Sequence, residues 1–255
     1  MEIVYLAFFF ILGLVFGSFY NVVGLRLGNG ESLVRPRSHC PNCKHVLKAY
    51  ELVPIFSYIF LGGKCKKCKQ KISIMYPLVE LFTAILFALS YYVYGFSYEL
   101  VLSIVLCSLF IIIVVTDLNY YIIPDSIIMV FGIFIFIYNI VTKGFLDACS
   151  YALFGFIMFL FMFALMKLGN ALFKEESLGG GDIKLMGVLG MIFKPLLSVT
   201  SLTLAAFLAL PGSLYLMITK KDKIMPFGPF IVAAFIIIML TGIDARDIID
   251  FLVRY

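Results

Sequence analysis

Eight apolar stretches, separated by short polar breaks, decide what this chain can become. They fall near residues 3–25, 76–95, 98–116, 126–142, 150–168, 183–193, 195–218 and 226–242. Most approach the ~20 residues that an α-helix needs to cross the hydrocarbon of a bilayer. Composition agrees, since 63% of the 255 residues are hydrophobic and 14% are charged, where soluble domains carry roughly 45–50% and 25%. A water-soluble globule could not hide so much apolar surface. The expected fold is an all-α polytopic membrane protein with about eight transmembrane helices. Disordered chains, secreted disulfide scaffolds and cytosolic enzymes are excluded. The first run, Ile3 to Leu25, follows Met1-Glu2 without a basic segment and reads as a retained helix rather than a cleaved signal peptide. The sixth run is short, so it either tilts or sits against protein instead of lipid.

Residues 26–75 form the sizeable polar segment, and its own apolar stretch, Leu52 to Leu61, contains Pro54 and is too short to cross. That stretch reads as the core of a small extramembrane domain or as its membrane-facing surface. Gly24, Gly28 and Gly30 follow no strand, so they form no dinucleotide fingerprint; they are expected to make the exit turn of the first helix. With the N-terminus outside, one face receives Arg26, Arg35, Arg37, Lys44, Lys48, Lys64, Lys66, Lys67, Lys69, Lys71, Lys167, Lys174, Lys184, Lys220, Lys221 and Lys223. The other receives Lys143, Lys194, Arg246 and Arg254, sixteen against four. The positive-inside bias then puts the 26–75 segment in the cytoplasm. The net charge of +5 follows this sidedness, and no nucleic-acid partner is expected. Three regions result: a first helix at 1–25, a cytoplasmic four-cysteine domain at 26–75, and a membrane-embedded remainder at 76–255.

Cys40-Pro-Asn-Cys43 and Cys65-Lys-Lys-Cys68 are two C-x-x-C pairs. Each can chelate from a tight knuckle, and together they supply the four thiolates of a closed tetrahedral zinc site. Redox-active dithiols are the competing reading, which a reducing compartment disfavours. Four sulfur ligands leave no open position for water, so such a Zn2+ ion holds shape and does no chemistry. His39 and His45 are alternative ligands, though exposed loop histidines are the better reading.

Three acids stand at the edges of apolar runs. Asp117 ends the third, Asp125 follows Pro124 at the start of the fourth, and Asp182 follows Gly179-Gly180-Gly181 at the start of the sixth. Between Asp117 and Asp182 the chain crosses twice, returning both to one face. Carboxylates at such depth are costly and mark function by default. Two aspartates sharing a site keep one proton between them, which suits peptide hydrolysis: one activates water while the other polarises the scissile carbonyl. Simpler roles are open as well. Asp125 could cap its helix, and Gly179–Asp182 could be a plain turn.

The chain also carries Gly17-Ser18-Phe19-Tyr20-Asn21-Val22-Val23, Pro36-Arg37-Ser38-His39-Cys40-Pro41, Pro54-Ile55-Phe56-Ser57-Tyr58, Tyr76-Pro77-Leu78-Val79-Glu80, Asp117 with Pro124-Asp125, and Leu178-Gly179-Gly180-Gly181-Asp182-Ile183-Lys184-Leu185, in that order. With these the sequence resembles the type IV prepilin leader peptidases that also N-methylate the new amino terminus, GxGD-type membrane aspartic proteases. The resemblance implies an enzyme of the bacterial cytoplasmic (inner) membrane. It would remove the basic leader of prepilin or pseudopilin substrates after a glycine, ahead of their hydrophobic helix. It implies that Asp117 and Asp182 are catalytic, that Asp125, Gly179, Gly181 and Lys184 support them, and that the cysteine domain serves methyl transfer from S-adenosyl-L-methionine. The chain departs from the family at Ile74-Met75, where many relatives have a basic residue, and at Gly28, where proline is common. A peptidase without methyl transfer is therefore one alternative. Others are a proton-coupled transporter using the three aspartates and a non-catalytic scaffold whose zinc module docks a partner.

Overall fold

A computed structural model of the chain describes residues 1–173, 178–219 and 225–243. Lys174, Lys220, Lys221, Lys223, Arg246 and Arg254, which enter the sidedness count, lie outside the described residues. Those described contain nine α-helices and no named strand: α1 (Glu2–Gly28), α2 (Phe56–Phe60), α3 (Met75–Tyr94), α4 (Tyr98–Tyr120), α5 (Asp125–Lys143), α6 (Phe145–Phe173), α7 (Gly180–Leu189), α8 (Pro195–Ile218) and α9 (Gly228–Thr241). Six of them, α1, α3, α4, α5, α6 and α8, are long and apolar enough to cross a membrane. The sixth and eighth apolar runs become the shorter α7 and α9, of 10 and 14 residues. At ~1.5 Å per residue, α7 extends only about 15 Å and is too short to span.

The chain divides into two compact units, Met1–Tyr120 and Tyr121–Tyr255. In the first, α1 packs on α3 and α4, and α3 on α4. The α1–α3 contact is backbone on backbone. A Cβ at Gly13 would lie 2.5 Å from the Ala84 Cα, and one at Gly17 would lie 2.8 Å from the Glu80 Cα. Small residues permit this approach where lipid offers no hydrophobic drive for helix association. Buried hydroxyls find partners inside the unit: Tyr20 donates to Ser108 at 2.6 Å, and Ser90 and Ser103 share a 2.8 Å hydrogen bond.

The exit turn of α1 lies later than expected. Helix continues through Gly24 and Gly28, whose missing side chains leave room for Val115 and for the Tyr120 ring, and only Gly30, at φ +70°, belongs to the turn. These two glycines serve helix packing on α4, and the lack of a Cβ matters there for space, not for backbone freedom. Beyond the turn, Arg26 donates to the carbonyls of Ser32, Leu33 and Pro36, which folds the start of the polar segment back over the helix end.

In the second unit α7 packs against α5, α6 and α9, and α8 packs against α9 and α6. Ile183, Leu185, Met186 and Leu189 are buried, so α7 meets protein where a spanning helix would meet lipid. Its contact with α6 is close: a Cβ at Gly155 would stand 2.4 Å from the Gly187 carbonyl oxygen. Asn139 of α5 donates to the Met191 carbonyl in the turn that follows α7, giving a backbone acceptor outside the helix its partner.

Candidate active site and metal centre

The two cysteine knuckles are built alike. Cys40 N–H donates to the His45 carbonyl and Lys44 N–H to the Cys40 carbonyl. Likewise, Cys65 N–H donates to the Gln70 carbonyl and Lys69 N–H to the Cys65 carbonyl. Lys44 and Lys69 occupy the left-handed region at φ +56° and +59°, which turns each chain back on itself. Single antiparallel bridges, His39 with Val46 and Lys64 with Lys71, close the two turns.

All four sulfurs lie within 4.8 Å of one another. The Cys40–Cys68 and Cys43–Cys65 separations are 3.8 and 3.9 Å. Tetrahedral zinc with Zn–S bonds of ~2.3 Å requires sulfur–sulfur edges of about 3.8 Å, so the donor set fits a four-thiolate metal site. The Cys43 backbone N–H holds the Cys40 thiol below its ordinary range, and the Gln70 backbone N–H does the same for Cys68. At Cys43 the His45 backbone N–H pulls downward, yet burial and the neighbouring thiols leave the group pushed up to about 11. Binding a divalent cation there requires the thiols to give up their protons. Neither histidine joins it. His45 Nε2 stands 3.2 Å from Glu51 Oε2, and His39 Nδ1 stands 2.9 Å from the Arg37 carbonyl.

The acids at the ends of the apolar runs separate by burial. Asp117 lies in the last turn of α4 and is 6% exposed; Asp182 lies in the first turn of α7 and is 8% exposed. Asp182 is the third residue of its helix, where the N-terminal dipole favours negative charge. The glycines before it are unequal. A Cβ at Gly179 would reach 3.2 Å from Asp182 Oδ2, and one at Gly181 would reach 3.1 Å from the Ile123 side chain, whereas one at Gly180 would meet nothing within 4 Å. The Gly-x-Gly-Asp pattern thus has a spatial side, with its first and third glycines tightly enclosed by side chains and its second facing open space.

Asp125 is different. It opens α5 behind Pro124, makes no side-chain cap hydrogen bond there, and accepts both contacts of Lys184 Nζ, at 2.7 and 2.8 Å. Its side chain is 63% exposed. The pair joins the N-terminal turns of α5 and α7 on an open surface. Asp125, Gly179, Gly181, Asp182 and Lys184 all belong to the Tyr121–Tyr255 unit, and Asp117 belongs to the other.

Sequence reasoning gave Glu80 and Asn21 no role. Glu80 is buried and accepts the Ile55 N–H at 2.7 Å, and Asn21 donates to the Tyr76 carbonyl. An acid inside the second apolar run was the available signal for Glu80.

Two family models match the chain: the bacterial Peptidase A24 N-terminal domain over residues 11–94 and the type IV leader peptidase family over residues 104–214. A prepilin leader peptidase/N-methyltransferase of Bacillus subtilis (strain 168) is 38% identical over 257 residues, covering 98% of each chain. One of the same description from Myxococcus xanthus is 41% identical over 72% of this chain and 54% of its own. A type 4 prepilin-like proteins leader peptide-processing enzyme of Escherichia coli O78:H11 is 32% identical over 85% of this chain and 87% of its own. No solved structure matches. With six apolar helices of spanning length and relatives aligned nearly end to end, this multi-pass protein of the bacterial inner membrane belongs to the type IV leader peptidase family.

Proposed function

We propose that the chain removes the leader from type IV prepilin-like proteins at the cytoplasmic face of the membrane, and then methylates the exposed amino terminus. The alignment at 38% identity over nearly the whole of a prepilin leader peptidase/N-methyltransferase carries this reading. In it the N-terminus faces outward, and the 26–75 domain and the acid-bearing helix ends face the cytoplasm.

Asp117 and Asp182 are the proposed catalytic pair. Peptide hydrolysis by a pair of acids uses one carboxylate to take a proton from water and one carboxylic acid to polarise the carbonyl. Two carboxyls that share a proton fill both roles. Burial of Asp117 and of Asp182 supports the assignment, because acids withdrawn from water at the ends of apolar helices are costly and mark functional positions. Gly179 leaves space beside the Asp182 carboxylate and Gly181 beside Ile123, and Asp125 with Lys184 tethers the start of α7 to α5. A substrate glycine beside the scissile bond would let that segment unwind and present its carbonyl.

Cys40, Cys43, Cys65 and Cys68 would hold Zn2+, whose contribution is to lock the two knuckles into one domain. S-adenosyl-L-methionine would supply the methyl group, and the 26–75 domain serves that step. A prepilin cleavage assay on the detergent-solubilised protein, with mass spectrometry of the product's amino terminus, tests both activities. A cut and methylated product is expected. An unmodified terminus leaves a peptidase alone, and an uncut substrate returns the aspartates to a proton relay.

A further inference from the structure

We propose that the polar segment between α1 and α3 lies on the bilayer, with Phe56, Ile59 and Phe60 of α2 inserted at the headgroup boundary and the surrounding lysines and arginines facing anionic lipid. The depth of α2 follows from its anchor. Helix α3 has 20 residues, about 30 Å at ~1.5 Å per residue. That length only matches a hydrocarbon core of roughly 30 Å, so its first turns stand at the membrane boundary. The Ile55 N–H, immediately before α2, donates to Glu80 Oε2 at 2.7 Å. Glu80 is the sixth residue of α3, about 7.5 Å along its axis from Met75. The entrance to α2 is therefore pinned below the helix end, at interfacial depth.

What α2 presents there is apolar. Phe56, Ile59 and Phe60 are 55%, 64% and 84% exposed, and positions i, i+3 and i+4 share one helix face. Tyr58 turns the other way, donating to the Ile72 carbonyl and lying against Gly63. The trio would be a costly surface in water, but aromatic and aliphatic side chains beside lysines are what an interfacial segment carries. Charge selects the partner. Residues 26–75 contain ten Lys and Arg and two acids, Glu31 and Glu51, and Glu51 accepts from the Lys48 backbone N–H and faces His45. Exposed Lys64, Lys66 and Lys67 follow α2 directly. An anionic leaflet attracts such a cluster, while a basic leader peptide would be repelled by it.

The sequence contains no tryptophan, so Phe60→Trp gives the full chain a single indole at the tip of α2. The variant is reconstituted in vesicles of phosphatidylcholine and phosphatidylglycerol carrying acyl chains brominated at defined depths. Expected are blue-shifted emission, quenching that is strongest for bromines nearest the headgroups, and little quenching by aqueous acrylamide. Phe56→Trp should behave similarly, which guards against a local defect in one variant. Water-like emission with full acrylamide access and no bromine effect would overturn the proposal. So would a blue shift that appears only after a prepilin peptide is added, because the face would then belong to substrate. The readout does not require cleavage, so its failure and the failure of the peptidase assignment are separable.

Discussion

The cysteine domain and the start of α7 both confine polar groups, and they do so by opposite means. In the domain, two turns 25 residues apart repeat the same hydrogen bonds, and their sulfurs converge on one point. Little apolar surface is buried around them: Val46, Tyr50, Leu52 and Val53 are all exposed. Around α7 the confinement is packing, with Leu185, Met186 and Leu189 fully buried and the α6 backbone in close approach at Gly155. One region depends on a single chelated centre and should fail all at once. The other rests on many contacts and should weaken in steps.

The largest expected effect breaks the chemistry while leaving both regions folded. Asp117→Asn or Asp182→Asn should lower prepilin cleavage by on the order of 10²–10⁴, the usual range for a lost acid–base group. Metal content should stay unchanged. Near-normal cleavage by either variant refutes the proposed pair.

Metal removal should come next. A chelator, or Cys40→Ser with Cys65→Ser, should empty the cluster and unfold the 26–75 domain, since structural zinc binding contributes about 10–16 kcal/mol in small zinc modules. Methyl transfer should be lost and cleavage largely kept, measured by mass spectrometry and gel assay on the same samples. Acid should mimic this. The Lys48 backbone N–H, then His45, holds the Glu51 carboxyl below its ordinary value of 4.5. A depressed carboxylate stabilises the fold above that value and loses the contribution as pH falls through its lower folded value. Protonation of the thiolates acts in the same direction, so zinc release should rise on acidification and not on alkalinisation. Loss of cleavage together with zinc would show the two regions to be one cooperative system.

Glycine substitutions sharpen the packing side. Gly181→Ala drives a methyl into Ile123 and should cost about 1–3 kcal/mol, with cleavage falling in proportion as Asp182 is displaced. Gly180→Ala enters open space in a helix and should be neutral, or stabilising by up to ~1 kcal/mol. Thermal unfolding and cleavage rates of the pair read the difference. Equal effects would remove the spatial reason for the Gly-x-Gly-Asp pattern.

How much of this was legible beforehand depends on the distance over which each feature is decided. The cysteine knuckles are local, four residues each, so spacing alone announced the donor set. The apolar runs announced the helices, while the short sixth run left open whether it tilts or meets protein, which the buried residues of α7 decide. Gly24 and Gly28 were misread because a glycine that ends a helix and one that admits a neighbour look identical along the chain; Val115 and Tyr120, some ninety residues away, decide between them. Asp117 and Asp182 could be separated from ordinary loop acids only by burial, which is a property of the folded unit. The contact between Ile55 and Glu80 was likewise unreadable, since nothing local says which backbone donor a buried carboxylate will accept.

Asp125 and Lys184 should give the smallest effect, and they test whether the start of α7 is held by packing. They are 59 residues apart in sequence yet within 2.7 Å, and both side chains are about half exposed or more. Exposed ion pairs contribute about 0–1 kcal/mol, because solvent screens the attraction and the side chains, the lysine above all, lose freedom. Asp125→Ala and Lys184→Ala should therefore each shift unfolding only slightly, and the double variant should add little. High salt should erase the difference from the parent chain. If Asp125 acts only by tethering α7, Lys184→Ala should reproduce its effect on cleavage in size and in pH profile. A much larger loss for Asp125→Ala, with a pH profile of altered shape, would instead place that carboxylate in contact with substrate and extend the packed, acid-bearing region to the open surface of α5.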